Sequence, residues 1–175
     1  MPLFLIESRL NRPEQAHIAQ ALDGIARAAA SGGGDIIEAQ VSEDLARLIV
    51  VLNISDAAAA RQAVESVGVP VQSLKAVRLV GQDLDTIKQR KGTANYLVEW
   101  NLPAGLSMEA YLRRKAEKTP LYAEVPEVSF ERTYVCEDMS RCLCLYASPD
   151  QEAVVRARNA VSAPIDGVNK IRNVR

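Results

Sequence analysis

Glu43-Asp44-Leu45-Ala46-Arg47 and, 94 positions further on, Glu137-Asp138-Met139-Ser140-Arg141 decide the fold, because the residues that follow each stretch also match. Asp56, Ala63, Val67 and Pro70 return in the same register as Asp150, Ala157, Val161 and Pro164. A spacing this constant means that one ancestral unit was duplicated, since an insertion in either copy would break the match.

The chain reads outward from those turns. Ser42-Glu43-Asp44 separates two β-rich runs, Ile36 to Val41 and Leu48 to Ile54, as a hairpin does. Ala57 to Val67 then carries Ala60, Ala63, Val64 and Val67 on one helical stripe, stopped by Gly68 and Pro70, and Leu74 to Val80 is a last strand. Upstream, Leu3-Phe4-Leu5-Ile6 is apolar on both faces, which suits a covered central strand. Pro13 to Ala30 places Ile18, Leu22, Ile25, Ala26 and Ala29 at helical spacing before the stop at Gly32-Gly33-Gly34. The order is βαββαβ. The second copy repeats it: strand Tyr96 to Trp100, a helix opened by Ser107, with Leu106 placed to pack on Tyr111, and ended by Pro120. The hairpin Val128 to Cys136 and Cys142 to Ala147 follows, then a helix entered through Ser148-Pro149, then strand Val168 to Val174. Gly81 to Ala94, with Lys88, Arg90 and Lys91, is a polar linker with room for one helical turn, its basic run a solvated face.

A βαββαβ unit lays both helices on one face of a four-stranded antiparallel sheet and leaves the other face bare, so it needs a cover. Each copy has about eighty residues, a size that buries only roughly 60% of its unfolded surface alone. The expectation is therefore an α+β protein of two tandem ferredoxin-like units, residues 1–81 and 95–175 joined by linker 82–94. They are expected to form a pseudodimer akin to a dimeric α+β barrel, the sheets packed face to face or joined edge to edge, with any ligand cleft between the halves.

Of 175 residues, 48% are hydrophobic and 25% charged, and the formal net charge is −1. That is the composition of a globule, with no field to gather nucleic acid and no apolar run of membrane-spanning length. The N-terminal apolar stretch lacks a basic leader and is interrupted by Glu7, so a strand is expected in place of a signal peptide, and a cytoplasmic location with it. Cys136, Cys142 and Cys144 are odd in number and confined to one copy, the pattern of reduced thiols.

Val128-Ser129-Phe130-Glu131-Arg132, Arg141-Cys142-Leu143-Cys144-Leu145, Pro149, Glu152-Ala153-Val154, Pro164 and Val168 carry a resemblance. The second copy resembles a ferredoxin-like family of unknown function grouped with a small nickel-responsive, nickel-binding protein, and the first copy resembles it more weakly. The resemblance implies nickel held by histidines on the first two strands and near the second helix. Those positions hold Trp100 or Ser8, Arg132, Arg158 and Ala163. Arginine stays cationic and offers no lone pair. The expectation is a relative without the metal, no cofactor being assigned and nickel binding kept as an alternative.

Glu7 and Glu99 occupy equivalent places on the two first strands, among apolar neighbours. A carboxylate there needs a basic partner or a wet cleft. Brought together, the two would repel and raise one pKa, as a general base needs, although an exposed strand end or a structural ion pair is the simpler reading. Arg132 and Tyr134 share a strand face with Phe130 and offer a cation and a hydroxyl to an anionic or aromatic ligand. Cys142 and Cys144 share the face of a strand, with Cys136 turned away; buried small hydrophobes are the simpler reading, soft-metal ligands the sharper one. His17, the sole histidine, has no nucleophile in a recognisable motif around it. The run Arg113-Arg114-Lys115 lacks the strand aromatics that stack RNA bases.

These readings converge on a small-ligand or partner-binding protein with Glu7, Glu99, Trp100, Arg132 and Tyr134 as candidate pocket residues, able to form a homodimer. The competing reading is a cofactor-independent isomerase or monooxygenase with Glu7 or Glu99 as base and Tyr134 or Arg132 polarising a carbonyl.

Overall fold

Asp44 and Asp138 close the two hairpins. Their Oδ1 atoms accept the backbone N–H groups of Ala46 and Ser140, each at 3.0 Å, two residues ahead. This Asx-type turn holds Leu45 and Met139 at φ of 63° and 60°, a conformation that side chains rarely adopt without such a tether. Asp56 and Asp150 then cap the next helices, accepting from the N–H of Ala59 and Ala153, both at 2.8 Å. Each satisfies one of the donors that a helix start leaves unpaired. The repeated acids are thus local instructions, given twice.

The computed structural model describes residues 1–89 and 93–174; Arg90 and Lys91 of the linker's basic run lie outside the described residues. The first copy forms β1 (Leu3–Arg9), α1 (Gln15–Ser31), β2 (Asp35–Ser42), β3 (Arg47–Asn53), α2 (Ala57–Glu65) and β4 (Ser73–Val80). Pro13 stands just outside α1, whose N-cap is Glu14. A short helix, α3 (Leu84–Gln89), lies in the linker. The second copy forms β5 (Tyr96–Asn101), α4 (Met108–Lys118) running into a 3-10 helix (Thr119–Glu124), β6 (Ser129–Cys136), β7 (Arg141–Ala147), α5 (Gln151–Ala160) and β8 (Gly167–Asn173).

The expected pseudodimer of two ferredoxin-like plaits is overturned by the strand pairing. All eight strands close into one antiparallel barrel in the order β1-β3-β2-β8-β5-β7-β6-β4. The seams are β2 with β8, from Gln40↔Asn173 to Ser42↔Ile171, and β4 with β6, from Val77↔Cys136 to Val80↔Thr133. The reason is backbone hydrogen bonding. Each separate sheet would end in unpaired edges at β2 and β4 or at β6 and β8, and closure satisfies all four.

Closure turns the two bare faces into one interior. Leu5, Ile49, Val51, Val77, Leu97, Tyr134, Cys136, Leu143, Leu145 and Ile171 pack there. The outer faces make two further cores: Ile6, Leu48, Val50, Leu52, Ile18, Leu22, Ile25 and Val64 under α1 and α2, and Tyr96, Val98, Cys142, Cys144, Tyr146, Tyr111 and Val154 under α4 and α5. Two bulges break the alternation at equivalent places, between Ile36 and Glu38 in β2 and between Phe130 and Arg132 in β6. The second one separates Phe130, which packs with the outer core, from Arg132 and Tyr134, which turn inward. The expected shared face of those three residues fails for that reason.

Leu5→Ala, a truncation at a buried interior position, is expected to cost about 2–5 kcal/mol in chemical denaturation, the range for deleting a packed leucine.

Candidate functional site

Glu7 and Glu99 do meet, but as parts of an ion-paired ring. Arg47 and Arg141, the arginines of the repeated turn signature, reach into the same end of the barrel. Arg47 binds Glu7 and, at 2.6 Å, Glu99; Arg141 binds Glu7 and, at 3.0 Å, Glu99. Each guanidinium bridges both carboxylates. Burial pushes the Glu7 carboxyl up, yet hydrogen bonds from Arg141 and Arg47 outweigh it and leave the group below its ordinary range. The expected pKa rise of a general base is therefore reversed at Glu7, and a carboxylate held this way is a poor proton acceptor.

Arg132 and Tyr134 do not join that ring. They bind Glu38, which the sequence reading passed over: Arg132 Nε and Nη2 donate to it at 2.8 and 2.5 Å and the Tyr134 hydroxyl at 2.8 Å. Gln40 Nε2 adds a fourth bond, at 2.7 Å. Burial raises the Tyr134 phenol well above its ordinary pKa, and the adjacent Glu38 carboxylate adds to that, so it stays a neutral donor. Leu5, Ile49, Leu97 and Leu143 sit one inward position along from the ring residues, and they also line the void beside Glu38 and Tyr134. That void has room for about one water molecule. The interior between the copies is a packed core, and the expected pairing of Glu7 or Glu99 with Tyr134 or Arg132 does not exist there, Glu38 taking both partners. Open grooves lie at the barrel ends, one reaching Glu38 and Arg132 and the other Arg47, with their inner charges already paired.

Trp100 faces outward, and here the sequence expectation leads to a different place. Between β5, β7, α4, the 3-10 helix and α5 lies a pocket with a free volume of about 30 Å³, partly open to solvent, lined by Trp100, Tyr111, Lys115, Tyr122, Cys144 and Arg158 among others. Arg158 is only 2% exposed. Its Nη1 donates to the Tyr146 hydroxyl at 3.1 Å and to Cys144 Sγ at 3.4 Å, and its Nη2 to the Pro164 carbonyl; its Nε has no hydrogen-bond partner. Arg114 and Arg158 lie 5.5 and 6.0 Å from the centre of the Trp100 ring. Lys115 Nζ lies 4.2 Å from the centre of the Phe130 ring, and burial lowers its pKa. Tyr122 stacks on Phe130 and shares a 2.6 Å hydrogen bond with Tyr146, its phenol pushed up to about 12 by burial. The walls are aromatic and the polar groups are mainly cations.

Two donors and a second thiol converge on Cys144. Thr133 Oγ1 donates to its Sγ at 3.2 Å, Arg158 at 3.4 Å, and the Cys142 thiol lies 4.0 Å away. The bond from Cys142, opposed by burial and helped by Lys115 and Arg158, holds the Cys144 thiol well below its usual pKa, while Cys142 is driven up by the same bond and by burial. Cys136 packs on the other side of the sheet, in the barrel interior. His17 is half-buried on α1 and is not among the pocket residues.

Three of the four positions where the resemblance implied nickel ligands, Trp100, Arg158 and Ala163, do meet at this pocket, while Arg132 is turned inward by its bulge. The residues do not fit the metal. Tryptophan and arginine bring donors without lone pairs, and among the described residues no three His, Cys, Asp or Glu side chains are placed to share an ion.

Glu7→Gln is expected to cost about 3 kcal/mol at neutral pH, because it leaves two guanidiniums around one carboxylate. A carboxyl with a lowered folded pKa stabilises fully above its ordinary value of 4.5 and loses that contribution as pH falls through the lower folded value. The gap in unfolding free energy between the protein and Glu7→Gln, measured in urea at a series of pH values, is therefore flat at neutral pH and narrows below 4.5.

Among solved structures, the fold is similar to a candidate chlorite dismutase, TA0507, at 11% identity and a TM-score of 0.63, covering 100% of this chain and 96% of that one. It is also similar to a candidate monooxygenase from Lactobacillus acidophilus NCFM, at 11% identity and a TM-score of 0.53, covering 99% and 94%. At such identities the likeness concerns the barrel alone. No curated protein matches the chain. Among the described residues no helix is long and apolar enough to cross a membrane. Residues 96–171, nearly the whole second copy, match the family model described as Nickel responsive protein SCO4226-like, so the resemblance carried by the β6–β7 hairpin and its Cys-Leu strand holds for that half of the chain.

Proposed function

We propose that the protein binds a small organic anion with a flat or aromatic body in the pocket between the outer face of β5 and β7 and the helices α4 and α5. The observation that carries this reading is the burial of Arg158 with an unpartnered Nε and no carboxylate among its hydrogen-bond partners. A desolvated guanidinium is costly unless a negative group meets it, and a carboxylate suits its fork. Lys115, Arg114 and Lys118 add positive charge at the same pocket. Trp100, Tyr111 and Tyr122 supply apolar walls for the body of the ligand, as small-molecule sites commonly do. This moves the small-ligand reading from the junction of the copies to the outer face of the second. The solved structures with similar barrels say nothing about which anion is bound.

Trp100 is the sole tryptophan, so its fluorescence reports on the pocket. Benzoate is expected to change that fluorescence saturably and to raise the melting temperature, whereas benzamide, the same shape without the charge, does neither. Arg158→Gln is expected to weaken benzoate binding by roughly 10- to 100-fold, the worth of a hydrogen bond to a charged group. An equal response to benzamide would remove the proposal.

A further inference from the structure

The thiols of the second copy go beyond ligand binding. We propose that Cys144 is a thiolate nucleophile that reduces small hydroperoxides, the oxidised product being returned by an external thiol. The inference rests on geometry. A thiol sulfur that accepts from Thr133 and Arg158 while a second thiol stands 4.0 Å away is surrounded by donors, which suits the anion and not the neutral thiol. Cys144 is one of the residues that line the pocket, and it is 1% exposed. Arg158, whose buried Nε has no hydrogen-bond partner, lines the same pocket.

The chemistry closes without a metal. The Cys144 thiolate attacks one peroxide oxygen; an S–O bond forms, the O–O bond breaks, sulfur is oxidised to the sulfenic acid and the hydroperoxide is reduced. Negative charge develops on the departing oxygen, where the Arg158 guanidinium stabilises it. The proton that turns it into alcohol or water comes from solvent. An external thiol, as its thiolate, then attacks the sulfenic sulfur; an S–S bond forms, hydroxide leaves, and solvent protonates it to water. Cys142 does not take that role: side chains two positions apart on one strand face stand about 6.6 Å apart, beyond the Cβ separation of about 4.5 Å that a disulfide spans. Exchange with a second external thiol returns Cys144 to the starting state.

The groups facing Cys144 come from every element around it: Cys142 and Tyr146 on β7, Thr133 on β6, Tyr111 and Lys115 on α4, Tyr122 on the 3-10 helix and Arg158 on α5. Arg158 cannot lose its charge near neutrality, burial lowers the pKa of Lys115, and the phenols of Tyr111, Tyr122 and Tyr146 are held above their ordinary pKa, mainly by burial. The cation beside the sulfur thus persists across the neutral range.

The test uses the intact protein, with hydrogen peroxide as the probe and the site of oxidation read by peptide mass spectrometry. The oxidation rate of Cys144 is expected to fall between about pH 8 and 6 by much less than the roughly 80-fold slowing of an ordinary thiol. Wild type and Cys142→Ser should both form a dimedone-reactive sulfenic acid at Cys144, which an added thiol removes. A rate that falls with pH like that of a free thiol, or oxidation confined to Cys136, overturns the proposal, and the wild-type pH profile decides even where a variant fails to fold. Benzoate binding without peroxide consumption would leave the proposed function standing and remove this one alone.

Discussion

Closing eight strands on themselves forces whatever the two copies point inward to share one axis, and everything else in the molecule answers to that constraint. Equivalent residues face each other across the axis. Where the inward position is an acid in one strand and a base in its neighbour, duplication gives two of each, and Glu7, Glu99, Arg47 and Arg141 form a ring that neutralises itself. On the axis itself a repeated residue meets its own twin. Glu38 and Arg132 are 94 positions apart, equivalent, and hydrogen-bonded to one another. Two glutamates or two arginines there would repel by about 4 kcal/mol at 4 Å in a medium of intermediate polarity. Divergence of one copy reverses the sign. The bulges next to both residues set the angle at which they reach the axis.

The outer faces obey no such constraint, and there the copies differ in kind. Ala39, Leu48, Val50, Leu52 and Val64 make an aliphatic layer under the helices of the first copy. Their equivalents are Thr133, Cys142, Cys144, Tyr146 and Arg158. Replacing hydrocarbon by hydroxyls, thiols and a guanidinium in a buried layer sacrifices stability, since each polar group must find a partner that the aliphatic version never needed. One copy therefore keeps a dry core, and the other spends the same space on polar groups. Such groups in a layer with no need of them for packing mark a site, because strained or costly features collect where function requires them.

How much of this was legible in the sequence depends on range. Turn aspartates, helix caps and the order of elements are set by contacts two to four residues away, and the repeat displayed them directly. Closure was not legible, because it depends on which edges find one another, and βαββαβ periodicity is the same in an open sheet and in a barrel. The partner of Glu7 was in plain view: Arg47 and Arg141 belong to the repeated signature itself, yet their inward direction is visible only once the barrel exists. Arg132 and Tyr134 were misplaced by a single inserted residue, since a bulge inverts the alternation that the reading assumed. The pocket had a signal that went unused. Subtracting the first copy from the second brings out Thr133, Cys142, Cys144, Tyr146 and Arg158 as polar residues whose twins are aliphatic.

Both proposed roles run through Arg158, and the electrostatics make them antagonists. The pocket carries the charges of Arg114, Lys115, Lys118 and Arg158, against which Cys144 supplies one negative group. An arriving carboxylate is therefore attracted even with the thiolate present. Yet it draws on the guanidinium that holds the sulfur anionic, and two negative groups on one arginine weaken each other. By linkage the effect is mutual: an anion that weakens the thiolate is itself bound less tightly while the thiolate persists. A neutral hydroperoxide meets no such opposition on entry. It develops negative charge only as the O–O bond breaks, which is the moment at which Nε, left without a partner in the resting pocket, has something to bind.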